Sequence, residues 1–294
     1  MLAIIGAIIV TASVVGGFLL EGGQIMVLFQ PVELLIIGGA AGGSLLISAS
    51  PSLLKTIIKI SIRAIKGASV SKAGYIELLS CLFELLKLAK SNPLGVEPHV
   101  DDPSQSSIFT KYPGVLNNHH ALDFIADTMK VMLSGSMSPY DLEDLMNADI
   151  DSAHSEELVV PEQVSKVGDA MPGLGIVAAV LGVVITMGKL TQGKEVIGHS
   201  VAAALVGTFL GILLSYGYVQ PLATRIVGLL SVEGNYMQVI KGALLAYAKG
   251  CSPNICIEFA RRSILPEYRP TFEEADQALQ AAKSGGGGSA EKAA

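Results

Sequence analysis

Two stretches in the C-terminal half, residues 167–187 and 196–219, are each long enough to cross a bilayer at about 1.5 Å rise per residue, and neither carries a charge through its apolar body. Lipid offers backbone amides no water, so such stretches cross as helices, and the rest of the fold must be built around them. Two further blocks extend the pattern. Residues 1–20 hold no charge, and residues 34–50 are uncharged between Pro31 and Pro51. Half of the 294 residues are hydrophobic, only 16% are charged and the mean hydropathy is +0.53, too apolar for a soluble enzyme of this length. The expected fold is therefore all-α: a polytopic membrane protein with four transmembrane helices and a helical cytoplasmic domain. The N-terminal block lacks a preceding Lys or Arg, which argues against a cleaved signal peptide.

The cations set the expected orientation. Ten Lys and Arg residues, from Lys55 to Lys166, lie between spans two and three, and eight more, from Arg225 to Lys292, follow span four. Lys189 and Lys194 alone lie between spans three and four. The positive-inside rule then places the long loop and the tail in the cytoplasm, with small outer loops at residues 21–30 and 189–195. The division expected is 1–50 for spans one and two, 51–166 for a cytoplasmic helical domain, 167–221 for spans three and four, 222–283 for a helical tail and 284–294 for a flexible Gly-rich end. That last segment reads as a natural tail or an engineered scar.

Within the loop, residues 53–68 repeat apolar positions at helical spacing beside Lys55, Lys59, Arg63 and Lys66, and suit a helix at the anionic membrane surface. Residues 71–89 and 120–133 read as amphipathic helices and 93–113 as an irregular connection. Residues 139–153 read as a separate helix with Ser138 as its N-cap. After span four the helix continues to about Lys249, and a last short one covers 271–283. Pro172 is expected in the first turn of span three, and Pro221 to bend the exit of span four by removing one backbone donor.

The chemistry-bearing residues are few. Cys81, Cys251 and Cys256 match no metal spacing, and the five histidines do not complete one, so ordinary thiols and no metal or cofactor are expected. A net charge of −6 without a basic, aromatic-rich patch points away from nucleic acid. No nucleophile–base pair gathers at one place, so an enzyme is not expected. The spans hold no ionisable residue in mid-membrane; Glu33 is expected at the outer rim of span two and Asp169 at the inner mouth of span three. Small residues and hydroxyls along spans three and four suit close helix packing, or a wall lining an ion path whose carboxylate comes from a partner helix.

In residues 167–184 (VGDAMPGLGIVAAVLGVV), 204–224 (ALVGTFLGILLSYGYVQPLAT), 30–43 (QPVELLIIGGAAGG), 101–113 (DDPSQSSIFTKYP) and 266–274 (PEYRPTFEE), the chain resembles the flagellar motor stator A subunits of the MotA/PomA family. The resemblance covers nearly the whole chain. It implies an inner-membrane homopentamer around a dimer of a MotB-like B subunit, which supplies the ion-binding Asp; ions passing between them turn the rotor. It also implies roles residue by residue. Pro172 and Pro221 match the family's two torque-coupling prolines, Asp169 the acidic residue before the first, Thr208 a pore-facing threonine and Tyr216 a tyrosine on the same helix. Glu97 matches the acidic residue that pairs with the rotor protein FliG, and Lys90 stands for its basic neighbour, where the family usually shows Arg. Sodium-driven members carry Thr seven residues after the first proline; here Ala179 stands there, as in proton-driven members, so H+ is expected over Na+. The rivals are a sodium-driven stator, an ExbB- or TolQ-like energy transducer with three spans, and a self-contained channel or transporter. The last needs its own coupling residue and usually an internal repeat.

Overall fold

A computed structural model describes residues 2–67, 70–135, 137–188 and 193–283, without the side chains of Lys194, Glu195, Val196 and His199. Lys189 and the Gly-rich end at 284–294 lie outside the described residues. The fold is all-α. The helices are α1 (Leu2–Leu20), α2 (Ile25–Leu28), α3 (Pro31–Ser48), α4 (Pro51–Lys66), α5 (Lys72–Ser91), α6 (Glu97–Asp101), α7 (Pro113–Leu116), α8 (His119–Leu133), α9 (Pro139–Met187), α10 (Lys194–Leu214), α11 (Gln220–Ala248), α12 (Pro253–Ser263) and α13 (Phe272–Lys283). A π-helical segment, Ser215–Val219, joins α10 to α11. Among the described residues, four stretches are long and apolar enough to cross a membrane: Leu2–Leu20, Ile25–Ser48, Pro139–Met187 and Ser200–Ala248.

The chain divides into two compact units. One comprises residues 1–67 and 156–229; the other comprises 68–155 and 230–294. The first holds the apolar spans. The second has a conventional hydrophobic core: Leu78, Leu82, Leu85 and Leu86 of α5 recur at three and four residues, so their side chains form one buried stripe. Ile125 and Met129 of α8 and Ile257 of α12 are buried in the same core.

Local signals explain most of the boundaries. Ser50 caps α4 by accepting the Leu53 amide at 3.2 Å, and the helix ends at Gly67, whose φ of 114° an L-residue rarely adopts. Ser138 accepts the Asp141 amide at 3.2 Å at the start of α9. Thr271 and Glu274 form a reciprocal capping box before α13, each accepting the other's backbone amide, at 3.2 and 2.7 Å. Lys72 holds the same Glu274 carboxylate at 2.7 Å, and these donors keep that carboxyl below its ordinary range.

Two expectations are corrected. Residues 93–113 are not an irregular connection; 3-10 turns at Pro93–Val96, Pro103–Gln105 and Phe109–Lys111 alternate with α6 and α7. Asn92, Asp102 and Ser106 side chains accept the first free amides of these turns, giving short polar residues the work a longer helix does by itself. The second correction concerns span three. It is not a new helix opening near Val167 with Pro172 in its first turn, because α9 runs unbroken for 49 residues with Pro161 and Pro172 inside it. An interior proline loses one backbone bond and costs about 3 kcal/mol. Intact helical turns on both sides absorb that loss, so neither proline marks a boundary here.

The C-terminal segment is tied by charge. Glu258 accepts from Arg261 at 2.8 Å and from Arg262 at 2.6 Å, which holds its carboxyl at about 2, and Arg261 also donates to the Pro270 carbonyl at 3.0 Å. A carboxyl depressed on folding stabilises the fold above its unfolded value, and that stabilisation fades as pH falls toward the folded value. Glu258→Gln is therefore expected to melt earlier than the parent at pH 7. The gap should narrow below about pH 4.5 and close near pH 2, as thermal unfolding of the purified full chain would record. Cys81 and Cys256 are buried, and burial pushes both thiols up, Cys256 to about 11. This keeps them protonated and unreactive.

Candidate functional site

The site is built where α9 and α10 run antiparallel at glycine distance. A methyl group added at Gly211 would lie 2.6 Å from the Met171 carbonyl oxygen and 3.0 Å from the Gly175 Cα. One added at Gly175 would lie 2.8 Å from the Gly207 carbonyl and 3.3 Å from the Thr208 Cα, and one at Gly182 would meet Ala204 at 2.8 Å. Backbone touches backbone along this seam, which small residues alone permit. It brings Thr208 beside Gly175, one turn from Pro172, and Ala178 against Gly207. Ala179 and Thr208 are half-buried, and Tyr216 is 66% exposed.

At the other end of the seam sit the two prolines. Pro172 has no N–H, so the Gly168 carbonyl loses its helical partner. Gly168 itself faces the π segment: a methyl group there would meet the Gln220 Nε2 at 3.0 Å and the Val219 Cγ1 at 3.2 Å. Pro221 follows that segment after one residue, Gln220. Its ring would crowd the carbonyl four residues back in a regular helix, and the wider turn, with the Gln220 amide donating to the Ser215 carbonyl, relieves the crowding. The expected bend at Pro221 thus takes the form of a π turn inside a continuing helix.

Gln220 joins these two places and was not singled out from the sequence. Its Nε2 donates to Asp169 Oδ1 at 2.6 Å and to the Ser165 carbonyl at 3.2 Å, while its Oε1 accepts from Ser165 Oγ at 3.1 Å. All four polar groups of the clamp come from α9 and the first residue of α11. The signal that could have found it is a polar residue directly before Pro221 at the end of an apolar run; the spacing of 51 residues to Asp169 hides the pairing. A hydrogen bond to a charged group such as this carboxylate is worth about 1.5–3 kcal/mol. Gln220→Ala and Asp169→Ala are each expected to lower the melting temperature of the purified chain, and the double variant is expected to lose no more than the worse single variant. Additive losses would show that the two act separately.

Glu33 is more enclosed than a position at the end of a span requires. It lies in the first turn of α3 yet is buried, and its Oε2 comes within 2.8 Å of where a Gly207 side chain would begin. Glu33 Oε2 and Ser215 Oγ are the buried side-chain oxygens without a hydrogen-bond partner among the described residues. Tyr218, two residues past Tyr216, shares a 2.8 Å hydrogen bond with Thr11 of α1, so the π segment is held from that side as well. Between Pro172 and Gly188, and between Ser200 and Thr224, the sequence has no Asp, Glu, Lys or Arg. α9 and α10 therefore offer the seam hydroxyls and carbonyls but no carboxylate, and the carboxylate of this chain that reaches it is Glu33 of α3, at Gly207.

Lys90 and Glu97 belong to the other compact unit. Lys90 is exposed in the last turn of α5, Glu97 is exposed as the first residue of α6, and the turn Pro93–Val96 separates them. Neither forms an ion pair with another described residue.

Residues 4–93 match the motility protein A N-terminal family, and residues 117–238 match the MotA/TolQ/ExbB proton channel family. The chain is 37% identical over 287 residues to motility protein A of Escherichia coli, covering 97% of each chain. It is 35% identical to the chemotaxis protein LafT of Vibrio parahaemolyticus over 94% of this chain and 97% of that one. Among solved structures it resembles C. jejuni MotAB with a TM-score of 0.73 at 19% identity, covering 92% of this chain and 98% of that one. The flagellar MotAB stator complex of Bacillus subtilis gives 0.68 at 20% identity, over 95% and 98% of the two chains.

Proposed function

The chain belongs to the motility protein A family and is a multi-pass inner-membrane subunit of the flagellar motor stator, and from that premise we propose that protons power it. Ala179 carries this reading. A hydroxyl at that position could replace part of the shell of a desolvating sodium ion, whereas a proton needs only a carboxylate and a chain of hydroxyls or water. The two α9–α10 stretches without an ionisable group support a division of labour in which a B subunit, as in the MotAB complexes, brings the carboxylate and this chain supplies the wall. Thr208 and Tyr216 face that path, and Pro172, Asp169 and Pro221 convert the change of charge on the partner into movement of α9 against α11.

The assembly proposed is five copies of this chain around two MotB-like subunits. The exposed apolar side chains of α9 and α10, Ile176, Val180, Val184 and Leu205 among them, support it, since lipid or neighbouring helices must cover them. The loop and the tail lie in the cytoplasm, where Lys90 and Glu97 meet the rotor protein FliG; their exposure and freedom from internal ion pairs support this contact. An ExbB- or TolQ-like role is set aside by the four spans and by the motility relatives.

The test is swimming of a stator-null cell that expresses this chain with its B subunit. Swimming is expected to persist when sodium is removed and to stop when an uncoupler collapses the proton gradient. Loss of swimming on sodium removal alone would overturn the proton reading and leave the stator assignment intact.

A further inference from the structure

Helix α4 starts two residues after Ala49 ends the membrane-spanning α3, so its first turn lies at the bilayer surface. One face is spent on the protein: Ile57, Ile60 and Ala64 are buried, and the Ala64 carbonyl accepts from Arg225. The opposite side is unusual for a helix that has already packed its apolar stripe. Ile58, Ile62 and Ile65 are 61%, 47% and 38% exposed. At about 100° per residue these three fall on one strip along the helix, and Lys55, Lys66 and Lys59, all exposed, fall on the strip beside it.

An apolar strip bordered lengthwise by a row of cations fits one occupant best. Isoleucines on one edge suit the upper acyl region, and lysines on the next reach the phosphates above it, as in helices that lie in the plane of the interface. A water-facing helix would gain nothing from three exposed isoleucines. A partner protein would have to offer an acidic row beside an apolar one.

We propose that this face of α4 is a binding surface for anionic phospholipid, with Ile58, Ile62 and Ile65 seated in the acyl boundary and Lys55, Lys59 and Lys66 selecting the headgroup charge. The surface depends on α3 spanning the membrane and not on the ion that powers the motor or on the rotor contact. It makes seating of the stator sensitive to the anionic fraction of the leaflet.

The chain contains no tryptophan, so Ile62→Trp installs a reporter whose signal is read against the same assembly without it. The full chain with its B subunit is reconstituted in phosphatidylcholine vesicles in which a minor share is brominated phosphatidylglycerol or brominated phosphatidylcholine. Quenching by the brominated phosphatidylglycerol is expected to correspond to a preference of at least about fivefold, what a single engaged lysine confers near a surface. Lys55→Gln, Lys59→Gln and Lys66→Gln together should bring that preference to unity while quenching by brominated phosphatidylcholine persists, which shows that the helix is still seated. Equal quenching by both lipids in the parent overturns the charge selection. No quenching by either lipid overturns the surface altogether and assigns the face to protein contact. Ile58→Trp repeats the reading from the same strip should Ile62→Trp fail to assemble.

Discussion

Pro172→Ala is expected to abolish motor rotation while the variant still inserts in the membrane and copurifies with its B subunit. Alanine restores the missing N–H to α9, so the Gly168 carbonyl regains its partner, and the helix itself gains about 2–3 kcal/mol. A more stable protein that cannot turn the motor is an outcome that a packing role does not produce. The geometry gives the reason. Gly168 lies against Val219 and Gln220, at the end of the π turn that accommodates Pro221. Each helix is therefore short of a regular backbone bond at the level where the two meet, and Gln220 fastens them there through Ser165 and Asp169. Regularising one of them removes the compliance from the pair. Rotation of tethered cells measures the effect, with membrane level and copurification as controls. Normal rotation would refute the coupling role, and loss of insertion would reassign Pro172 to folding.

How much of this was legible in the sequence depends on the range of the interaction. The spans were legible because apolar length and the absence of charge are properties of a local window. So was the cap at Ser138, whose bond closes within three residues. The continuity of α9 was not. A proline reads the same at the first turn of a helix as thirty residues inside one, and only the packing of the turns before it tells the two apart. The burial of Glu33 and the clamp at Gln220 were hidden for another reason. Their partners, Gly207, Ser165 and Asp169, lie more than 50 residues away and become neighbours only once the helices pair. Asp169, Pro172, Thr208 and Pro221 were marked in advance by resemblance to a family. The structure adds the seam that sets Thr208 beside Gly175, one turn from Pro172, and the clamp that ties Asp169 to Gln220, the residue before Pro221.

That seam yields the second large effect. Gly211→Val is expected to remove assembly as well as rotation, in contrast to Pro172→Ala. The atoms that a side chain at 211 would meet first are the Met171 carbonyl oxygen at 2.6 Å and the Gly175 Cα and N at 3.0 and 3.2 Å. These are backbone atoms of a long helix and cannot swing aside as a side chain does. α10 must move away from α9 by the best part of an ångström, and the contact is lost along its length rather than at one point, because Gly175 and Gly182 depend on the same separation. Lipid tails then enter a gap that neither helix can close. Gly173 supplies the control. It is the residue directly after Pro172 on the same helix, it is exposed, and nothing comes within 4 Å of a methyl group built there. Gly173→Ala should therefore leave membrane level, copurification and swimming unchanged. If Gly211→Val assembled normally with its B subunit, α9 and α10 would not need their backbone contact, and the wall of the ion path would have to be sought on another face of α9.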